Sequence, residues 1–587
     1  MLKFKKILSS FSLLEKKEKK NLLILFFLMI FAYLLEAGSI GSIIPLLIFL
    51  TDSPNNAISE FLNNVNFLKN FTKNEKLEFF IIVFLFFFIV KNTYLVFFRW
   101  FQINFTAKLT TNLSVKLFRK YLAQPYLFFV KQKSSKLIRN VMVETTRFSS
   151  NVIETYTNLI LEILVLITLG LILFIYDPQS FIFVTVISFI VFFLFSFFSK
   201  NKLIKWAKER ASYEAKVINK LQTGFNLSKI IKIFFKNKKF DDEYHVNIRK
   251  FNYAIRNRGI LGKLPRHIFE IIAVISLSSL IIYFTKTGKE FGEIIILLGL
   301  FAAAMYRIFP AIVNIIVSLQ NLHFNSPSVD ILISEFKRPN YNNIYKSNPK
   351  KKIEFKKSIS LQKITFKYPE SKKNILNKLN LNIKKNQIIG IAGSSGSGKT
   401  TLIDIILGIL KPNKGNFKVD GKKFNDNQVY QWGKLIGYVP QGVYLLDDTI
   451  EKNIAFGSEE NNFDIRKVIT SAKKAQIHDF IMSLPKKYKT ILSEKGSNLS
   501  EGQKQRIAIA RSLYQNPEIL IFDEATSALD YKTEKSFINS LKLLKNKKTI
   551  IIIAHRYSVL KLCQKIYFFD FNKKFRKIDK KYIKQLS

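Results

Sequence analysis

The sequence predicts two regions of different class: an all-α membrane region of six helices, followed by an α/β domain built around a phosphate-binding loop. Three observations predict it. Residues 21–320 hold nearly all the long apolar runs, whereas residues 340–587 read as an ordinary charged, Lys-rich soluble domain. Six of the runs are long enough to cross a bilayer, which takes roughly 20 mostly apolar residues. In the second region, a strand-like run, a glycine-rich loop and a helix-forming run follow one another. A chain of 587 residues is also too long for one compact core.

The expected spans cover residues 22–50, 78–99, 152–175, 179–199, 266–286 and 292–319. Tyr176, Asp177 and Pro178 make a tight turn between the third and fourth, since proline ends one helix and starts the next. The fifth and sixth are joined as closely, around Lys286 to Phe291. Residues 100–151 and 200–265 are long, polar, Lys/Arg-rich and helix-forming, and the enrichment of cytoplasmic loops in basic residues places both inside. The loop from Thr51 to Leu77 balances three basic against three acidic residues and belongs outside. Within it, Phe61, Leu62, Val65 and Leu68 recur at helical spacing, which suggests a short amphipathic helix over Ile58 to Phe71. Both termini then lie in the cytoplasm. The domains expected are a membrane domain over 1–325, a Pro/Asn/Lys-rich linker over 326–352 and a soluble domain over 353–587. Met1 to Lys20 is basic and amphipathic, so a removed signal peptide is not expected.

A net charge of +50, from 92 basic and 42 acidic residues, raises the question of a polyanionic partner. No nucleic-acid-binding motif accompanies it, and the heavy use of Lys, Asn, Ile and Phe together with positive-inside loops accounts for it, so no nucleic acid is expected. The single cysteine, Cys563, excludes an intramolecular disulfide framework and a Cys-rich metal site.

The chemistry lies in the second region. Gln387 to Ala392 leads into Gly393, Ser394, Ser395, Gly396, Ser397, Gly398, Lys399 and Thr400, with Thr401 to Leu410 helical behind them. Glycines let successive backbone N–H groups face phosphates, the helix N-terminus adds positive dipole, Lys399 neutralises phosphate charge and Thr400 ligates Mg²⁺. Further on, the apolar strand Ile519 to Phe522 ends in Asp523 and Glu524. The first suits a Mg²⁺ ligand, and the second suits orienting or deprotonating the attacking water.

Leu499-Ser500-Glu501-Gly502-Gln503, with Lys504-Gln505-Arg506 behind it, resembles the signature motif of ATP-binding-cassette (ABC) proteins and precedes Asp523-Glu524 at the family's spacing. On that resemblance, Tyr368 is the aromatic that stacks on adenine, and Gln441 a Mg²⁺ and water contact that links nucleotide to transport domain. Ser527-Ala528-Leu529-Asp530 is the D-loop, and His555 the switch histidine on the γ-phosphate. Ser500, Gly502 and Gln503 would meet the γ-phosphate. Glu501 departs from the family's glycine, so an altered rate is expected. The resemblance further implies ATP and Mg²⁺ as cofactors and a site sandwiched between two cassettes. With one cassette per chain, it implies a dimer, most simply a homodimer of twelve spans.

Six spans ahead of one cassette, joined by two long inner loops, resemble the exporter branch, with docking helices around Ala123 to Phe129 and Thr223 to Lys229. The implied product is an ATP-driven translocase in the inner or plasma membrane, multi-pass, with its nucleotide-binding domain in the cytoplasm. Charges inside spans are costly and usually face a cavity or a partner. Lys91, Arg266 and Arg307 are the cationic candidates for substrate contact, with Glu36, Glu162 and Glu270 as possible counter-charges. Leu264-Pro265-Arg266, Met305 to Pro310 and the amphipathic outer loop are similar to the bacterial flippases of lipid-linked oligosaccharide. A lipid-linked or related amphipathic anionic substrate is therefore the leading expectation. Export of drugs, a peptide or lipid A is the alternative, and an ATP-gated channel or membrane regulator a further one. The sequence given shows no N-terminal peptidase domain with its Cys and His, which argues against the peptide-processing type.

Overall fold

The structure, a computed structural model, describes residues 11–42, 71–176, 178–286, 291–339, 353–458, 462–493, 496, 498–525, 531–554, 556–570 and 575–579. They form two compact units: residues 1–122 with 132–339, and residues 123–131 with 340–587.

The first unit is helical. Its elements are α1 (Lys16–Gly41) and α2 (Lys73–Leu122), then, past the excursion that holds α3 (Tyr126–Lys131), α4 (Ser134–Arg139), α5 (Glu154–Tyr176), α6 (Pro178–Asn226), α7 (Ser228–Ile233), α8 (Asn237–Lys286), α9 (Phe291–Phe324) and α10 (Ser326–Lys337). Among the described residues, six helical stretches are long and apolar enough to cross a membrane. Helices α2, α6 and α8 run to 50, 49 and 50 residues. At 1.5 Å per residue each is about 75 Å long, against roughly 30 Å of hydrocarbon, so more than half of each projects into water. The first of them starts on a capping box: the Thr72 N–H donates to Glu75 at 2.7 Å and the Glu75 N–H to the Thr72 hydroxyl at 3.4 Å. Where a linker is expected, residues 326–337 are helical and bury Val329 and Leu332. Pro327 sits at the start of this helix, where proline is favoured, so it marks a helix start and not a loop. The outer-loop helix expected over 58–71 lies almost wholly outside the described residues.

Between α4 and α5 the helix widens to π-helical over Asn140–Glu144 and Arg147–Ile153. This is where the unit buries a polar network. Arg147 grips Glu214 with two donors, one at 2.7 Å, and Arg139 lies 3.4 Å from the fully buried Glu144. Arg210 donates to Asn325 at 3.0 Å and sits 4.5 Å over the Phe324 ring.

The second unit is an α/β domain with two sheets. Strands β1 (Ser358–Phe366), β2 (Leu376–Lys384), β4 (Lys414–Val419) and β5 (Lys422–Lys423) form an antiparallel sheet in the order β2-β1-β4-β5. Strands β3 (Ile388–Gly393), β6 (Ile436–Val439), β7 (Ile519–Asp523), β8 (Thr549–Ile553), β9 (Lys565–Phe569) and β10 (Phe575–Ile578) form the other, in the order β10-β9-β3-β8-β7-β6. All its pairings are parallel except β10 on β9. Strands β3, β7 and β8 are buried at every position, as continuous Ile-rich runs covered on both faces should be. The helices are α11 (Lys399–Ile406), α12 (Val429–Lys434), α13 (Ile450–Ile454), α14 (Ile465–Lys474), α15 (His478–Ser483), α16 (Glu501–Tyr514), α17 (Tyr531–Leu544) and α18 (Tyr557–Leu560). The excursion carrying α3 belongs with this unit: Leu127 packs on the core cluster that contains Ile403 and Ile406, and Lys131 lies 3.4 Å from Glu370.

Candidate active site

The site forms where β3 and β7, separated by β8 in the sheet, both end. Strand β3 ends in Gly393 at φ +145°, where a Cβ would stand 2.8 Å from the Phe569 backbone oxygen, so only glycine fits. The chain then passes Gly396 and Gly398, both at positive φ, and enters α11 at Lys399. Glycines at positive φ leading into a helix N-terminus are the backbone pattern that suits an anion cradle. Lys399 is 6% exposed, and its ammonium is held by neutral acceptors, the carbonyls of Gly393 at 2.8 Å and Ser394 at 3.0 Å. Burial pulls its pKa down, while the carboxylates of Glu524 and Asp523 push it back up. The buried hydroxyl of Ser397 has no protein partner.

Across from the loop, Asp523 closes β7 in register with Ile553 of β8. It is 4% exposed; burial and the neighbouring Glu524 raise its pKa, and the Tyr438 hydroxyl donates to it at 3.4 Å. Glu524 has φ +49°, the left-handed region that a non-glycine residue enters at a cost. Its N–H donates to the Ile553 carbonyl at 3.1 Å, and its carboxylate accepts from Gln441 at 2.7 Å and stands 4.0 Å from the Lys399 ammonium. Lys399, Gln441 and the adjacent pair Asp523 and Glu524, from three segments far apart in sequence, thus converge on one place.

Tyr368 sits beside this loop, its ring edge-on to Phe366 at 5.1 Å and its hydroxyl 3.4 Å from that of Thr401. Thr400 is the one exposed residue of α11. At the start of α16, Ser500 is the N-cap and Gln503 completes a capping box with it, at 3.2 and 2.9 Å. Gly502 lies in the first turn, and Glu501 is exposed and bonded to Lys504 at 2.7 Å. Asp530 and His555 lie outside the described residues.

In the membrane unit, Arg307 is bonded to Glu36 and lies 3.7 Å from Glu162, which also accepts from Asn314 at 2.8 Å. Arg266 pairs with Glu270 at 2.9 Å on an exposed helix face. Lys91 lies 4.8 Å over the Phe88 ring, within the electrostatic neighbourhood of Glu36 and Arg307, and forms no ion pair among the described residues.

Sequence reasoning missed Asp404 and Tyr438. Asp404, 8% exposed on the buried side of α11, has its pKa pushed up to about 6 by burial first and Asp523 second. Its sequence signal was an acid within an otherwise apolar helical run. Tyr438 left none, because its role depends on β6 pairing with β7.

Among known families, residues 376–527 match the one described as ABC transporter, and residues 21–309 the one described as ABC transporter transmembrane region. The chain belongs to the ABC transporters, with a fold of the exporter type. Its first region is thus the transmembrane region, and its second the ATP-binding region, of that family. Its fold is that of a bacterial Atm1-family ABC exporter solved with ATP bound, with a TM-score of 0.75 over 94% of this chain and 93% of that one at 18% identity. It is 45% identical over 208 residues to the alpha-hemolysin translocation ATP-binding protein HlyB of Proteus vulgaris, covering 35% of this chain and 29% of that protein. It is 43% identical over 213 residues to the leukotoxin translocation ATP-binding protein LktB of Mannheimia glucosida, covering 36% and 30%. A probable ABC transporter ATP-binding/permease protein of Haemophilus influenzae is 38% identical over 208 residues, covering 35% and 37%. The chain thus spans about a third of the length of the curated relatives it matches.

Proposed function

We propose that this chain, as a homodimer using ATP and Mg²⁺, flips a lipid-linked oligosaccharide or related amphipathic anionic lipid from the cytoplasmic to the outer leaflet. The observation that carries the ATP-driven part is the convergence of Lys399, Gln441 and Glu524 on one cradle. The residues fit the nucleotide and its ion: Gly393 to Thr401 provide N–H groups and the Lys399 charge, and Ser397 has a hydroxyl to spare. No group of three or more metal-ligating His, Cys, Asp or Glu side chains occurs among the described residues. Magnesium, whose preference is for a few carboxylates plus phosphate oxygens, would be held by Thr400, Gln441 and Asp523 with the nucleotide, and would supply charge neutralisation of the phosphates. Glu524, its carboxylate held by Gln441, would orient and deprotonate the attacking water. Tyr368 would take the adenine; Asp530, His555 and the partner's α16 N-terminus would close the site. The excursion around α3, part of the cassette unit although it lies between membrane helices in sequence, is a natural route for coupling.

The substrate reading is supported by the polar cluster within the spans. There Arg307 faces two carboxylates, so its charge is already met, and of the three candidates Lys91 is the one without a carboxylate partner among the described residues, a cation that would attract an anionic headgroup. Arg266 and Glu270 satisfy one another on an exposed face. A second reading, export of a protein, is favoured by the relatives named for hemolysin and leukotoxin translocation. Reconstitution in liposomes tests both. ATP-dependent flipping of a polyprenyl-diphosphate glycan that is lost in Glu524→Gln and weakened in Lys91→Met supports the flippase. Robust ATPase activity with no flipping of that glycan overturns the substrate reading and leaves export.

A further inference from the structure

The end of β8 is built into the hydrolytic site. The Ile553 carbonyl accepts the N–H of Glu524 at 3.1 Å, and the Ala554 N–H donates to Ile391 of β3 at 3.3 Å. This one strand end therefore anchors the left-handed backbone of Glu524 and leans on the strand that carries the phosphate loop. Backbone held in the left-handed region at a non-glycine residue costs of order 1 kcal/mol or more and persists only where its surroundings over-determine it.

Past the end of β8, a buried carboxylate grips the chain. Glu534 of α17 is 5% exposed; one of its oxygens accepts from the Arg556 guanidinium and the other from the Ser558 hydroxyl. Both donors lie within five residues of Ile553, and α17 follows Glu524 along the chain, so Glu534 ties together the two segments that flank the catalytic glutamate. A carboxylate this buried is costly unless both oxygens are satisfied, and here each has a donor. Among the described residues, the side chains that bond Glu534 are those of Arg556 and Ser558.

We infer that Glu534 is a positioning residue for ATP hydrolysis: by clamping Arg556 and Ser558 it fixes the end of β8 and hence the aim of Glu524. Displacing a catalytic group by about 1 Å costs up to about 100-fold in rate. Loss of the clamp should therefore appear in turnover, with nucleotide binding by the phosphate loop little changed.

The test uses the full chain in lipid nanodiscs. Glu534→Gln keeps the size but loses the charge, and it is expected to lower kcat for ATP hydrolysis between about 10- and 100-fold while KM for ATP stays within about twofold. Arg556→Gln should give a similar loss, and the double variant no more than the larger single loss, because both act through one clamp. Wild-type kcat in a folded Glu534→Gln protein overturns the inference. So does a loss of kcat that disappears on assaying well below the melting temperature, which would make Glu534 a stability element only. If Glu534→Gln fails to fold, Ser558→Ala, which removes one donor, is expected to lower kcat more mildly at unchanged KM; unchanged kcat there also overturns it.

Discussion

Two cations, the buried Lys399 and the half-buried Arg307, show how differently the halves of this chain use charge. Lys399 in the cassette is held by two neutral backbone carbonyls, with Glu524 no closer than 4.0 Å. Arg307 in the membrane unit is bonded to Glu36 and has Glu162 at 3.7 Å. A carbonyl orients an ammonium without cancelling its charge, so Lys399 still attracts an anion. Carboxylates set against a guanidinium offset its charge, so Arg307 is bound to the protein itself. The lesson is that residue type and depth do not mark a ligand-binding cation; the charge of its existing partners does.

The largest effect is expected where that comparison meets chemistry. Glu524→Gln keeps the hydrogen-bonding shape near Gln441 but removes the carboxylate proposed as the base, and ATP hydrolysis should fall at least about 100-fold with ATP still bound, measured as phosphate release beside nucleotide retention. Arg307→Ala tests the other side. It leaves Glu36 and Glu162 buried without their cation, a loss of about 3–5 kcal/mol, so the melting temperature in detergent should drop strongly. Arg307→Met combined with Glu36→Gln and Glu162→Gln should recover much of it. An Arg307→Ala protein of normal stability that fails only in transport would break the comparison and restore Arg307 to the substrate.

How much of this was legible in sequence divides along the same line. The six spans and the phosphate loop were readable because each is a local pattern: apolar length, or glycines between a strand and a helix. Glu36, Glu162 and Glu270 were readable as counter-charges because so few acids occur in the spans, but their pairing with Arg307 and Arg266 needed coordinates. The helix at 326–337 was lost because Pro327 reads as a breaker until the helix start is seen. Tyr438 and Glu534 act only through strands and helices distant in sequence, so nothing local announced them.

A smaller effect is expected at Asp404, whose carboxyl is pushed up to about 6 by burial and by Asp523. An acid with a folded pKa above its unfolded value favours the protonated state in the fold, so it destabilises the protein at neutral pH and ceases to do so as pH falls through about 6 towards 4. Asp404→Asn should therefore raise nucleotide-free stability by about 2 kcal/mol above pH 6, with the gain fading by about pH 4. Thermal melts of both proteins across that range check the sign. A gain that does not change with pH would mean that packing, and not charge, sets the cost of Asp404.

The smallest effect belongs to the position where the signature departs from its family. Glu501 adds a carboxylate at the N-terminus of α16, where an approaching phosphate would otherwise meet only positive dipole. Lys504, 2.7 Å away and largely covered, offsets that charge. The pair is half in solvent, so its worth lies in the range of about 0.2–1 kcal/mol and declines with salt. Glu501→Gly should change ATPase KM by no more than about fivefold, and Lys504→Met, which bares the carboxylate, should raise KM more than Glu501→Gly lowers it. Both shifts should shrink between low and high ionic strength. Equal kinetics in all three proteins at low salt would show that this end of α16 does not meet the nucleotide's charge, and would remove the main support for a site closed by a second cassette.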